Sequence, residues 1–160
     1  MKRIAALALL LLPGCGLQPL YSGGSGGQVA QALAGVEVAP ISGKNGWLVS
    51  NALKDRIAAV PDAPTRYRLE VELDDKIEGF GIRRDDAITR ERRTLRARYR
   101  LKDSNGSVLV DATAGSDAGI DVVNSEYATI AAENTALERL AGEVADQIVA
   151  RIALYAKRTQ

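Results

Sequence analysis

Apolar and polar residues alternate with period two along several stretches of this chain and recur every three or four residues along two others, so its elements can be drawn before any chemistry is considered. Gly35-Val36-Glu37-Val38-Ala39 alternates and is closed by Pro40, which predicts a short first strand. From Trp47 to Val60 the residues Leu48, Val49, Ala52, Leu53, Ile57 and Val60 fall on one side of a helix that stops before Pro61. Asn45 is placed to cap that helix, Trp47 to anchor its start at the edge of the core, and Pro61-Asp62-Ala63-Pro64 to end it.

Tyr67, Leu69, Val71 and Leu73 alternate with Arg68, Glu70, Glu72 and Asp74, the mark of a strand with one buried and one wet face. Gly79-Phe80-Gly81 permits a bend, and extended structure restarts near Ala87 or Ile88. Leu95, Ala97, Tyr99 and Leu101 share one face of this third strand, which the Asp103-Ser104-Asn105-Gly106 turn reverses into a fourth, Val108 to Ala114. A final amphipathic helix runs from about Glu126 to Lys157, capped by Asn124 or Ser125. Ile130, Leu137, Leu140, Ala141, Val144, Ile148, Ile152 and Tyr155 form its stripe. A stripe of that length needs a cover, because propensity alone rarely holds a helix in water. The expected fold is therefore α+β: two helices packed on one face of a four-stranded, mainly antiparallel sheet, in the order β-α-β-β-β-α.

The first residues add an address. Lys2 and Arg3 precede an apolar run from Ile4 to Leu12, too short to span a bilayer, and Leu12-Pro13-Gly14-Cys15 ends it. That is the layout of a bacterial lipoprotein signal, whose cysteine takes a diacylglycerol and becomes the new N-terminus. Each buried methylene adds about 0.8 kcal/mol, so two or three acyl chains anchor a domain firmly to a membrane. Gly16 to Gly27, rich in glycine and serine, and Val29 to Leu33, a possible helical turn, complete a flexible tether. The chain thus divides into a signal peptide (1–14), a lipidated N-terminus and tether (15–34) and a single α+β domain (35–160).

Composition narrows what that domain can do. Cys15 is the sole cysteine and there is no histidine, so histidine-based triads and the commonest metal ligand are absent, and no cofactor is expected. Loss of Lys2 and Arg3 with the signal takes the formal charge from +1 to −1, and aromatics are 4% of residues, which argues against nucleic-acid binding. Asp74-Asp75 and Asp85-Asp86 lack metal-loop spacing and read as solvated turns.

The candidate contact surface lies on the third strand. Arg90, Arg92, Arg96, Arg98, Arg100 and Lys102 occupy even positions, with Thr94 among them, so all project from the face opposite Leu95 and Tyr99. Arg93 points the other way, beyond the expected edge of the core. Same-face neighbours sit about 6.5 to 7 Å apart, so anions should face the row. Glu70, Glu72 and Asp74, an acidic partner, or lipid phosphates could supply them.

Two segments carry a resemblance to a known family. Gly14-Cys15-Gly16-Leu17-Gln18-Pro19-Leu20-Tyr21 is one; Asp121-Val122-Val123-Asn124-Ser125-Glu126-Tyr127-Ala128-Thr129-Ile130-Ala131-Ala132-Glu133, followed by Leu140-Ala141 and Ile148 to Tyr155, is the other. Both resemble the LPS-assembly lipoprotein LptE in its alphaproteobacterial form. The resemblance implies a non-enzymatic outer-membrane lipoprotein, anchored through Cys15 on the periplasmic side. Such a protein plugs and assists assembly of the LptD β-barrel and helps deliver lipopolysaccharide to the cell surface. On physical grounds, and given that assignment, Arg90, Arg92, Arg96, Arg98 and Arg100 are expected to face LptD or lipopolysaccharide, whose anionic oxygens guanidinium groups bind in pairs. The alternative is an accessory lipoprotein of an ABC-type lipid transporter.

Overall fold

The computed structural model describes residues 27–57, 64–82 and 88–159. The signal, Cys15, the Pro61-Asp62-Ala63 part of the breaker and Asp85-Asp86 lie outside the described residues. Helix α1 (Gln28–Ala34) leads into strand β1 (Val36–Val38), helix α2 (Gly43–Ile57), strands β2 (Tyr67–Ile82), β3 (Ile88–Asp103) and β4 (Val108–Asp121), and helix α3 (Glu126–Arg158). The sheet order is β1-β2-β3-β4. β1 joins β2 in parallel through the α2 crossover, while β2-β3 and β3-β4 are antiparallel, so the sheet is mixed but mainly antiparallel, as expected.

Three differences from the expected elements have physical causes. The helical turn expected over Val29 to Leu33 forms, from Gln28 to Ala34, but packs on the domain instead of belonging to a tether, because Ala30 and Leu33 find cover in the core. β2 stays paired to β3 through Gly79 and Phe80 and runs to Ile82, and the irregularity that Gly79-Phe80-Gly81 permits falls at Gly81, which takes φ +81° and is skipped in the register. β4 likewise continues past Ala114 to Asp121, matched residue for residue to β3.

One face of the sheet is apolar. Leu69, Val71, Leu95, Ala97, Tyr99, Leu101, Val110, Ala114, Ala118 and Ile120 are buried there, beneath Leu137, Leu140, Ala141, Val144, Ala145, Ile148, Val149 and Ile152 of α3. The alanines on both sides let α3 lie close to the strands. Arg56 of α2 ties the two long helices together, donating from Nε and Nη2 to the Asp146 carboxylate at 2.6 and 3.1 Å, which holds that carboxyl below its usual range.

Helix α2 begins at Gly43, four residues earlier than Trp47, and buries Gly46, Val49, Ser50, Leu53 and Ile57. Trp47 is off that stripe and 63% exposed, so it is not the core-edge anchor the sequence suggested. Gly46 explains the helix entry: a Cβ there would meet the Ile41 carbonyl oxygen at 2.5 Å. In α3, Ser125 supplies the cap, its side chain accepting from Ala128 N at 3.4 Å. Ile130, expected in the stripe, is 45% exposed in the helix's second turn, and Tyr127 is 87% exposed.

The β3-β4 turn forms as read. Asp103 accepts through its side chain from Asn105 N and Ser107 N at 2.9 and 2.8 Å, and Gly106 takes φ +83°, a region that favours glycine. The free edge of β4 is capped by Gln147 of α3, which accepts from Gly115 N and donates to Gly115 O, both at 3.1 Å.

Candidate functional site: a ribbon of ion pairs and a buried clamp

The period of β3 places Arg90, Arg92, Arg96, Arg98, Arg100 and Lys102 on the face away from the helices. Cross-strand register then sets a column of carboxylates on either side. Glu70 and Glu72 of β2 meet Lys102 and Arg100 at 2.8 and 2.5 Å, and Asp74 bonds its own neighbour Lys76 at 3.1 Å. On the other flank, Asp111 meets Arg98 at 3.1 Å, Asp117 meets Arg92 at 3.8 Å and Asp121 meets Arg90 at 3.0 Å.

Asp117 and Asp121 of this flank lie beyond the Ala114 end expected for β4, while Asp111 lies within it. The signal for the longer strand was present: Asp111, Thr113, Gly115, Asp117, Gly119 and Asp121 alternate with Ala112, Ala114, Ser116, Ala118 and Ile120. Glu78 of β2 also lies opposite Arg92, so among the described residues the row is flanked by seven carboxylates on two strands rather than three on one. Hydrogen bonding from Arg98 holds the Asp111 carboxyl below its usual range, and the Lys102 ammonium does the same for Glu70.

Arg96 stands apart. Among the described residues it is the one cation of the row with no ion pair. It lines a cavity of about 500 Å³ with Thr94, Thr113, Gly115, Asp117 and Gln147. Gly115, its partner across the strands, has no side chain to fill that space; a Cβ there would lie 3.3 Å from Arg96 Cγ. Arg92 also places its guanidinium 5.3 Å from the centre of the Phe80 ring.

Arg93, expected beyond the core edge, is instead buried on the helix side of the sheet. Its Nε and Nη2 donate to Asp75 at 2.9 and 2.5 Å, and Nη1 donates to the Glu133 carbonyl at 2.9 Å. Asn45 adds a bond from Nδ2 to Asp75 Oδ2 at 2.6 Å, so Asn45 is no cap and Asp75 no turn residue. One ion pair thus joins β2, β3, α2 and α3. Nearby on β3, burial pushes the Glu91 carboxyl up, the adjacent Glu133 carboxylate adds to the rise, and Glu91 Oε2 is buried without a hydrogen-bond partner. Counting on from Leu69, Val71 and Leu73 puts Asp75 on the same inner face as Arg93, but Asp74-Asp75 reads as a turn, and only the folded sheet brings the two side chains together.

Against known proteins, the model of the LptE family, described as lipopolysaccharide-assembly, matches residues 33–152. The chain belongs to the LptE family. A crystal structure of a lipoprotein from Caulobacter crescentus is similar at 24% identity with a TM-score of 0.70, covering 82% of this chain and 98% of that one. Rare lipoprotein B from Shewanella oneidensis aligns at 8% identity and TM-score 0.58, over 78% and 96% of the two chains. A minor lipoprotein from Acinetobacter baumannii aligns at 16% and 0.57, over 74% and 88%. At these identities the three structures share the fold. No curated relative matches the chain. Among the described residues of this LptE-family chain, no helix is long and apolar enough to cross a membrane, and no cluster of acidic, cysteine or histidine side chains could hold a metal.

Proposed function

We propose that this LptE-family chain is an outer-membrane lipoprotein, anchored at Cys15, that plugs and helps assemble the LptD β-barrel and assists delivery of lipopolysaccharide. The observation that carries this reading is the family match across residues 33–152, three quarters of the chain. The domain contributes no catalysis. It presents to its partners the charged face of the sheet, with Arg90, Arg92, Arg96, Arg98 and Arg100 as the contact row.

The members of that row are not equal. A guanidinium already bonded to an internal carboxylate must break that bond, or share it, to reach an external anion. Arg96 need not, so an anionic group on LptD or lipopolysaccharide meets it at the lowest cost. Arg92 comes next, since its Asp117 partner sits at 3.8 Å. In the full-length protein, Arg92→Glu/Arg96→Glu is expected to weaken LptD co-purification or lipopolysaccharide binding, by about tenfold or more, while thermal unfolding stays unchanged. Retention of both interactions by a folded double variant would reduce the row to a structural feature.

A further inference from the structure

The two long edges of the sheet are finished differently. At β4 the side-chain amide of Gln147 occupies both backbone groups of Gly115. At β2 the cover is brief: β1 pairs only with Tyr67, Arg68 and Leu69, and the last bond runs from Ala39 N to Leu69 O at 2.9 Å. Pro40 follows and, having no N–H, cannot continue the ladder. Because Leu69 directs its carbonyl to this edge, the alternation of an antiparallel strand turns the N–H and C=O groups of Val71, Leu73, Asp75, Ile77 and Gly79 the same way. Among the described residues, no backbone group pairs with them there.

The side chains along this edge are also incompletely covered. On the helix side of the sheet Leu73 is half-buried and Ile77 is 42% exposed, although both continue the apolar row of Leu69 and Val71. On the other side Glu72, Asp74 and Glu78 are exposed, with Lys76 the one base among them. The charged columns of that face alternate across the sheet, acidic on β4, basic on β3 and mostly acidic on β2. The next column in this order is basic. β1 supplies only Glu37 there, and its nearest cation, Arg68, is 4.0 Å away.

We propose that the β2 edge from Val71 to Gly79 docks an extended segment of a partner protein in which apolar residues alternate with lysine or arginine. The segment joins the sheet as a further strand in the line of β1. Its backbone meets the five outward-facing residues, its apolar side chains cover Leu73 and Ile77, and its cations face Glu72, Asp74 and Glu78. A second copy of this chain is the poorer occupant, since β2 against β2 sets acid beside acid. The site adjoins the arginine row, since Glu72 bonds Arg100 and Asp74 and Glu78 lie opposite Arg96 and Arg92, but its backbone groups and the apolar Leu73 and Ile77 belong to β2 alone, so strand addition there is read separately from any contact the row makes with LptD.

The test adds a blocked ten-residue peptide of alternating valine and lysine to the isotope-labelled full chain. Binding is followed by calorimetry and by amide hydrogen exchange. Exchange at Val71, Leu73, Asp75, Ile77 and Gly79 is expected to slow by about tenfold or more, and the same peptide with glutamate for lysine is expected to bind at least about tenfold more weakly. Asp74→Asn/Glu78→Gln, neutral changes at two exposed sites, should lose affinity severalfold while the domain stays folded. The proposal is overturned if the saturating lysine peptide protects none of these amides, if protection maps to β4 or the arginine row, or if both peptides bind alike. It is equally overturned if the folded double variant keeps full affinity, or if sedimentation shows the edge closed by a dimer of this chain.

Discussion

Arg92 and Arg93 are neighbours on one strand, carry the same charge and each face an aspartate, yet the fold uses them in opposite ways. Arg92 stands in water with more than half of its side chain exposed and Asp117 at 3.8 Å. Arg93 is about one tenth exposed, as is Asp75, and every nitrogen of its guanidinium is bonded. An exposed pair is worth about 0 to 1 kcal/mol because water and salt compete with it. A buried pair is different in kind: it need not stabilise the fold more than apolar residues would, but breaking it strands a charge out of water. One pleat step thus separates a replaceable surface contact from a joint that four elements share.

The largest effect should come from breaking the joint from one side. Asp75→Ala or Arg93→Ala is expected to cost about 3–5 kcal/mol in urea denaturation, whereas replacing both with apolar residues, as in Asp75→Leu/Arg93→Met, should recover most of the loss. If the single variants cost no more than a surface pair, the contrast between the two faces is void.

Glu91 sharpens the same contrast through pH. Its folded pKa is raised by burial and by Glu133, so the ionised form is penalised only in the folded state. The sign follows from linkage: this stability is fully present below the unfolded-state value, and it is lost as pH rises through the folded-state value. Glu91→Gln should therefore raise stability at neutral pH, by about 1 kcal/mol, and flatten the decline of stability above the ordinary carboxylate range, measured by denaturation across pH 4 to 8. A variant whose pH profile overlays the parent would show that the Glu91 carboxyl is no more penalised than an exposed one.

The smallest effect belongs to the outer face. Arg100→Ala, which removes the 2.5 Å contact with Glu72, is expected to lower stability by about 0.5 kcal/mol, a loss that shrinks further in 1 M salt. A cost near that of Arg93→Ala would mean that the outer ribbon is a structural lattice rather than a surface held ready for partners.

Much of this was legible in the chain itself. Alternation in Tyr67–Leu73 and Leu95–Leu101 set which residues are wet and which are dry, the Asp103–Gly106 turn set the register of β3 with β4, and the stripe in 137–155 required a long helix over the sheet. These features are local, because a side chain's face depends only on counting along its own strand or helix.

The course of β2 past Asp74 was not legible, nor was the partner of Arg93, nor which carboxylates meet the arginine row. Each depends on a residue distant in sequence. Asp74-Asp75 looks like a turn until β3 supplies Arg96 and Leu95 opposite it. Asp117 and Asp121 have no visible role until β3 lies beside them. Sequence by itself determined the faces of the elements and the order of the charges along them. Tertiary structure alone decided which charges meet, and whether in water or out of it, because pairing and desolvation belong to the space between elements and not to any one of them.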